Sequence, residues 1–182
     1  MLLVVDNGSV YTKNLTEFLS KKQVKYSSYP YSELDFSKIH EFNSYILSGR
    51  RKNSKEMNAL NSRIITHAIS VKKPLLGICY GAEILALTLG GTIRKTPKPC
   101  IGEQEIIIQK ENPLCSGKII VFESHNYEIS RLNDKLTGIA KSENCLYEIV
   151  QYENSNIFGT QFHPEMSNDG QAIIESFVSI RS

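Results

Sequence analysis

Apolar positions along this chain switch between a strand-like and a helical spacing, and the switches mark its elements. Leu2 to Val5 is a continuous apolar run, as expected of a strand buried on both faces, and Tyr11 to Lys22 then carries Leu15, Phe18 and Leu19 at helical spacing. Val24 to Tyr29 and Tyr45 to Leu47 read as further strands. Ser54 to Val71 returns to the helical period, with Met57, Leu60, Ile64, Ile65, Ala68 and Ile69 as its apolar stripe and Ser54 as its cap. Pro74 to Ile78 is another short buried strand; Glu83 to Leu89 is helical until Gly90-Gly91 ends it and starts the next strand. Beyond that point Glu103 to Gln109, Lys118 to Phe122, Leu136 to Lys141, Cys145 to Tyr152 and Ile157 to Gln161 are strand-like and closely spaced, which predicts an antiparallel or mixed extension. Gly170 to Ile180 predicts a closing helix. The alternation of strands and helices predicts an α/β fold with a central, mostly parallel sheet flanked by helices, and places reactive residues at the carboxyl ends of its strands. With no repeat, low-complexity tract or linker, residues 1–182 read as a single domain.

Composition narrows the function classes. A net charge of +2 with mixed signs gives no case for a nucleic-acid partner, and nothing in the chain argues for a membrane. The segment Met1 to Asp6 is too short for a signal peptide and lacks its basic start. The four cysteines, Cys79, Cys100, Cys115 and Cys145, show no C-x-x-C spacing, so a reduced cytoplasmic protein is expected rather than a disulfide framework or zinc site. No metal constellation, phosphate loop or dinucleotide fingerprint is visible; no cofactor is expected, and ATP activation of an acceptor by this chain is not.

The chemistry concentrates at two motifs. Gly77-Ile78-Cys79-Tyr80-Gly81 puts a cysteine between flanking glycines where an apolar strand meets a helix, the pattern of a nucleophile elbow. The helix N-terminus beneath Cys79 offers unpaired N–H groups and a positive dipole end, which favour thiolate and can hold an oxyanion. A cysteine that cleaves an amide needs a proton donor and base, and His163 stands in Gly159-Thr160-Gln161-Phe162-His163-Pro164-Glu165 with a carboxylate two positions on. Pro164 fixes the local backbone, so Glu165 can hold one ring nitrogen while the other faces the thiol. Cys100, Cys115 and Cys145 read as small apolar residues, and His40 and His67 as surface or helix residues.

These two motifs together resemble the class I, or triad, glutamine amidotransferases. Asp6-Asn7-Gly8, Ile46-Leu47-Ser48-Gly49, Leu89-Gly90-Gly91 and Ser124-His125 fall in the family's order, so the resemblance covers the whole chain. Val10 to Leu15 is similar to the anthranilate and aminodeoxychorismate synthase amidotransferases, and Glu123-Ser124-His125 to those of GMP synthase. The resemblance implies a flavodoxin-like sheet and a Cys79-His163-Glu165 triad that hydrolyses glutamine through a γ-glutamyl thioester. It further implies an oxyanion held by the N–H groups of Tyr80 and of Arg50, the residue after Gly49, with Ser124 and His125 beside the substrate. The ammonia would pass to a synthetase partner, a GMP synthase type first, within purine biosynthesis.

Two residues depart from the family's pattern. Arg50 follows Ser48-Gly49 where a second glycine is usual, so an oxyanion role would require a backbone that glycine reaches more cheaply. Glu83 stands four residues after the cysteine where glutamine is common; its carboxylate would oppose the thiolate, or receive a substrate ammonium. Arg50-Arg51-Lys52 with Lys55 is either a solvated basic loop or the border of the pocket, meeting a substrate carboxylate or an acidic partner. Three functions remain open on these residues: an amidotransferase that supplies ammonia to a synthetase, a stand-alone γ-glutamyl hydrolase or amidase, and a silent regulatory homologue.

Overall fold

The computed structural model describes residues 1–180. A nine-stranded mixed sheet runs through it in the order β2-β1-β3-β4-β9-β8-β7-β5-β6. The first half follows the alternation seen in the sequence: β1 (Leu2–Asn7), α1 (Thr12–Lys21), β2 (Tyr26–Pro30), β3 (Ser44–Arg50), α2 (Lys55–Ser70), β4 (Leu75–Ile78) and α3 (Tyr80–Thr88). β1 to β4 are parallel, and β9 (Ile157–Thr160) joins them parallel to β4. β5 (Thr92–Ile108), β6 (Lys118–Arg131), β7 (Leu136–Lys141) and β8 (Ile149–Tyr152) form the antiparallel part, and α4 (Asn168–Ser179) closes the chain.

The period of two in β1 divides the core. Leu2 and Val4 pack with Leu15, Phe18 and Leu19 of α1 and Ile173, Ile174 and Phe177 of α4 on one face of the sheet. Leu3 and Val5 pack on the other with Met57, Ile64, Ile65 and Ala68 of α2 and Leu85 of α3. Ser54 caps α2 as expected, its Oγ accepting from the Met57 N–H at 3.3 Å. Asn61 replaces an apolar residue on the buried stripe of α2, where it exchanges hydrogen bonds with Asn7 (2.8 and 3.2 Å). Helix α3 is buried on nearly every side because β3, β4, β9, β5 and α2 all pack against it.

Three expectations need correction. The segments Glu103 to Gln109 and Lys118 to Phe122 are only the distal part of a long hairpin, β5 with β6, that begins at Thr92 and ends at Arg131. Pro97 and Pro99 disguise it: both fall between Lys95 and Cys100, at the second of two irregularities in the ladder, the kind of place where a strand tolerates proline. Cys145 to Tyr152 is strand only from Ile149. Helix α3 also starts at Tyr80, directly after the cysteine, rather than at Glu83.

The parallel part, with β1 between β2 and β3, has a topological switch point at the carboxyl ends of β1 and β3. Asn7, Gly49, Cys79 and His163 stand at or just beyond the carboxyl ends of β1, β3, β4 and β9.

Candidate active site

Cys79 is set in a backbone of φ 51° and ψ −101°, a conformation that a residue with a side chain rarely adopts. The flanking glycines make this turn sterically feasible. A Cβ on Gly77 would lie 2.4 Å from the Gly81 carbonyl carbon, and one on Gly81 would lie 2.5 Å from the Leu47 carbonyl oxygen. The strand, the helix and β3 are therefore in backbone contact beneath the nucleophile. The Cys79 N–H donates to the Thr160 carbonyl at 2.7 Å, so Cys79 and His163 leave neighbouring strands.

His163 is buried and doubly constrained. Its Nδ1 lies 2.9 Å from Glu165 Oε1, leaving Nε2 as the nitrogen for proton exchange, and its backbone N–H donates to the Phe122 carbonyl at 2.8 Å. The Tyr11 ring packs against the imidazole at 4.6 Å, and the Tyr11 hydroxyl donates to Ser124 Oγ at 3.2 Å. Gly49 completes the enclosure, since a Cβ there would lie 2.9 Å from His163 Cε1. Ser48 holds this loop: its Oγ accepts from the Asn7 N–H at 2.9 Å and donates to the Gly49 carbonyl at 2.9 Å.

Strand β6 contributes to the site from both faces. Phe122 and Ser124 meet Tyr11 beside His163, whereas Glu123 and His125 are buried on the opposite face, as a period of two requires. His125 Nε2 lies 2.9 Å from Glu123 Oε2, and its Nδ1 is 2.8 Å from the Tyr127 carbonyl. Burial pulls the His125 pKa down, but Glu123 and the Tyr127 carbonyl outweigh it and the net shift is upward. A cleft of about 450 Å³ brings His125 together with Arg50, Cys79, Tyr80 and Glu83.

The two departures in the sequence meet in this cleft. Arg50 Nη2 lies 3.6 Å from Glu83 Oε2, and the guanidinium stacks over the Tyr80 ring at 4.5 Å. Tyr80 is in turn fixed by donation from its hydroxyl to Asn58 Oδ1 at 2.8 Å. Arg50 ends β3 and is not among the residues of positive φ, so the strained backbone expected for it is not found. Burial raises the Glu83 pKa, while Arg50 and then Gln161 pull it back.

The helix N-terminus does not act alone on the thiol. Burial pushes Cys79 well above the ordinary thiol value, followed by the carboxylates of Glu83, Glu123 and Glu165; hydrogen bonding to the Tyr80 N–H opposes them. Tyr11, Gln161 and Glu123 are neighbours of the site that sequence reasoning did not single out. Glu123 lies in Glu123-Ser124-His125, Gln161 two residues before His163 and Tyr11 in Val10 to Leu15, so membership of these motif segments is the signal that could have found them.

An elbow cysteine and a buried His-Glu pair thus leave neighbouring strands at the carboxyl edge of the sheet. The family model for glutamine amidotransferase class-I matches residues 3–180, and the chain belongs to that family. Within it, the chain is 31% identical over 186 residues to the separate glutamine-hydrolyzing GMP synthase subunit of Pyrococcus furiosus, covering 99% of this chain and 98% of that protein. It is 33% identical over 186 residues to the glutamine-hydrolyzing GMP synthase of Borreliella burgdorferi, with 97% of this chain covered but only 35% of that protein; the chain spans about a third of the length of these longer relatives. A crystal structure from Thermoplasma acidophilum, described as that of a GMP synthase subunit, superimposes with a TM-score of 0.86 at 28% identity, covering 97% of this chain and 91% of the other.

Proposed function

We propose that this chain hydrolyses the side-chain amide of glutamine and delivers the ammonia to a separate synthetase of the GMP synthase type. The observation that carries this reading is the 2.9 Å His163–Glu165 pair beside the elbow that presents Cys79. Substrate binding displaces water from the cleft, and the buried thiol transfers its proton to His163 Nε2 as Sγ attacks the amide carbon. The imidazolium is stabilised by Glu165, and the N–H group of Tyr80, at the N-terminus of α3, receives the oxyanion; Arg50, whose backbone stays extended at the end of β3, brings its guanidinium to the cleft instead. Collapse breaks the C–N bond as His163 protonates the nitrogen, which leaves as ammonia. A γ-glutamyl thioester remains on Cys79. His163 then deprotonates a water that attacks the thioester; the C–S bond breaks, the sulfur regains its proton, and glutamate departs.

The synthetase partner and the purine pathway are inferred from likeness to the Pyrococcus furiosus protein, whose name records both glutamine hydrolysis and GMP synthase. Glu83 favours a second reading, a stand-alone γ-glutamyl hydrolase. Its carboxylate is nearly fully buried in the Cys79 cleft and suits a substrate ammonium. Release of ammonia and glutamate from glutamine, with and without candidate synthetases and with Cys79→Ala as the blank, separates the two. Turnover that rises with a synthetase and vanishes in the blank is expected. Turnover of other γ-glutamyl amides without any partner would support the second reading, and no turnover in any pairing would leave a silent homologue.

A further inference from the structure

A second cavity of about 560 Å³ lies on the far side of His125 from the thiol, between the β5–β6 hairpin and the segment that leads into β8. His125 lines both compartments. Three buried carboxylates, Glu123, Glu128 and Glu148, line the second one, each residue between 1% and 4% exposed. Glu128 Oε2, Glu148 Oε2 and both oxygens of Glu123 lack an aligned hydrogen-bond donor. Their cationic neighbours are few: Arg94 Nε donates to Glu128 Oε1 at 2.7 Å, His125 lies beside Glu123, and Lys98, an exposed residue of β5, stands on the cavity's lining without an ion pair to any of the three. Even with the proton that Glu148 shares with Glu123 and the Ser142 hydroxyl beside it, acceptors outnumber donors in a place where an unmet carboxylate is costly.

The geometry points to a binding site for an ammonium group, either the ammonium ion or a primary alkylammonium, held by Glu123, Glu128 and Glu148. The lining selects this chemistry over other cations. No group of three or more His, Cys, Asp and Glu among the described residues is arranged to hold a metal ion. No Phe, Tyr or Trp among the described residues lines the cavity, so a quaternary ammonium would find neither an aromatic face nor a use for the free acceptors. An N–H donor satisfies several oxygens at once, and the volume leaves room for an alkyl chain. Burial, then Glu123, pushes Glu148 well above the ordinary carboxylate range, as expected where buried acid groups outnumber the cations paired with them.

Two sources can supply such a cation: the ammonia released at Cys79, a source that rests on the proposed glutamine hydrolysis and that becomes ammonium by taking up the proton Glu148 retains, or a free alkylamine. Calorimetric titration of the Cys79→Ala protein with ammonium chloride, 1,4-diaminobutane and tetramethylammonium chloride, at matched sodium chloride, tests the site without turnover. Saturable binding of ammonium, diaminobutane or both is expected, with none for tetramethylammonium. Ammonium alone assigns the released ion, and diaminobutane alone an alkylamine. Glu148→Gln should weaken binding about tenfold, the usual loss on neutralising one partner of a charged hydrogen bond. Arg94→Gln, at a largely exposed side chain, frees Glu128 and should tighten binding severalfold, which keeps the test open if the buried variant folds poorly. No saturable heat with either amine, or an equal response to tetramethylammonium, would overturn the assignment. Because the nucleophile is absent throughout, that failure stands apart from any failure of glutamine hydrolysis.

Discussion

Gly49→Ala isolates the positioning of His163 from its chemistry. Gly49 lies outside the left-handed region, so alanine introduces no backbone strain, and the change reduces to one methyl group. That methyl would sit 2.9 Å from His163 Cε1 and 3.3 Å from Ser9 Oγ, whereas ordinary contact begins near 3.4 Å. The imidazole must therefore retreat by about 0.5 Å, but Glu165 at 2.9 Å and the Tyr11 ring at 4.6 Å confine it. A misplacement of about 1 Å can cost roughly 10²-fold in rate, so half that distance on a logarithmic scale gives a loss of about tenfold.

Stability should move little. Alanine restricts the unfolded chain by about 0.4–1 kcal/mol, which offsets part of the clash, and at this size about 1 kcal/mol is only 2–4 °C in Tm. The assay is the rate at which a glutamine-mimicking electrophile labels Cys79, read beside glutamine turnover and Tm. A tenfold loss in both rates at nearly constant Tm is expected. Unchanged labelling and turnover at unchanged Tm would show that Gly49 does not hold His163 in the working state.

Four further outcomes follow from the same geometry. Glu83→Gln removes a carboxylate that raises the Cys79 pKa; loss of a nearby negative charge favours thiolate, so the pH–rate profile of thiol alkylation should move to lower pH, and an upward or absent shift would refute that role. Glu165→Gln should lower turnover at least about 10²-fold through His163, with a near-native Tm; retained turnover would remove Glu165 from the triad. Gly81→Ala forces a Cβ to 2.5 Å from backbone and should cost about 3 kcal/mol, roughly 6–12 °C in Tm, whereas an unchanged melting curve would mean that β3 and α3 can separate freely. Glu148 is raised in the folded protein, so the folded state binds the extra proton and stability falls as pH rises from the ordinary carboxylate value through the folded one; Glu148→Gln should raise Tm at neutral pH more than in acid, and an equal change at both would contradict it.

The parallel half of the fold was legible because each strand is buried on both faces and each helix carries one apolar stripe, as in Leu2 to Val5 and Met57 to Ala68. The elbow was legible because close backbone approach leaves glycine as its mark at 77 and 81, and the His-Pro-Glu run places two polar groups within one turn of backbone. The hairpin was not, because Pro97 and Pro99 read as breakers when they only interrupt a ladder that resumes at Cys100. The acidic cavity was not either: Glu123 and Glu128 share one strand, but Glu148 comes from a separate segment, and nothing in their sequence neighbourhoods distinguishes them from surface carboxylates. The influences on the thiol were only partly legible for the same reason, since the helix N-terminus is local and visible, while burial and two of the three opposing carboxylates are supplied by tertiary structure.

Arg50 and Glu83 looked like independent departures, and the fold makes them one feature. A buried carboxylate on the cysteine's own helix would be costly alone and would hold the thiol protonated. Arg50 brings a compensating charge to 3.6 Å and anchors it over Tyr80, the residue whose N–H bonds the Cys79 sulfur. The guanidinium needs only the side chain to turn, so the extended backbone at the end of β3 is kept and glycine's freedom is not required there. The pair also leaves a positive and a negative group side by side in the cleft, which is the arrangement that the α-carboxylate and α-ammonium of an amino-acid substrate would match. A second glycine and a glutamine at these positions would offer neutral hydrogen bonds instead, so the two changes make sense only when made together.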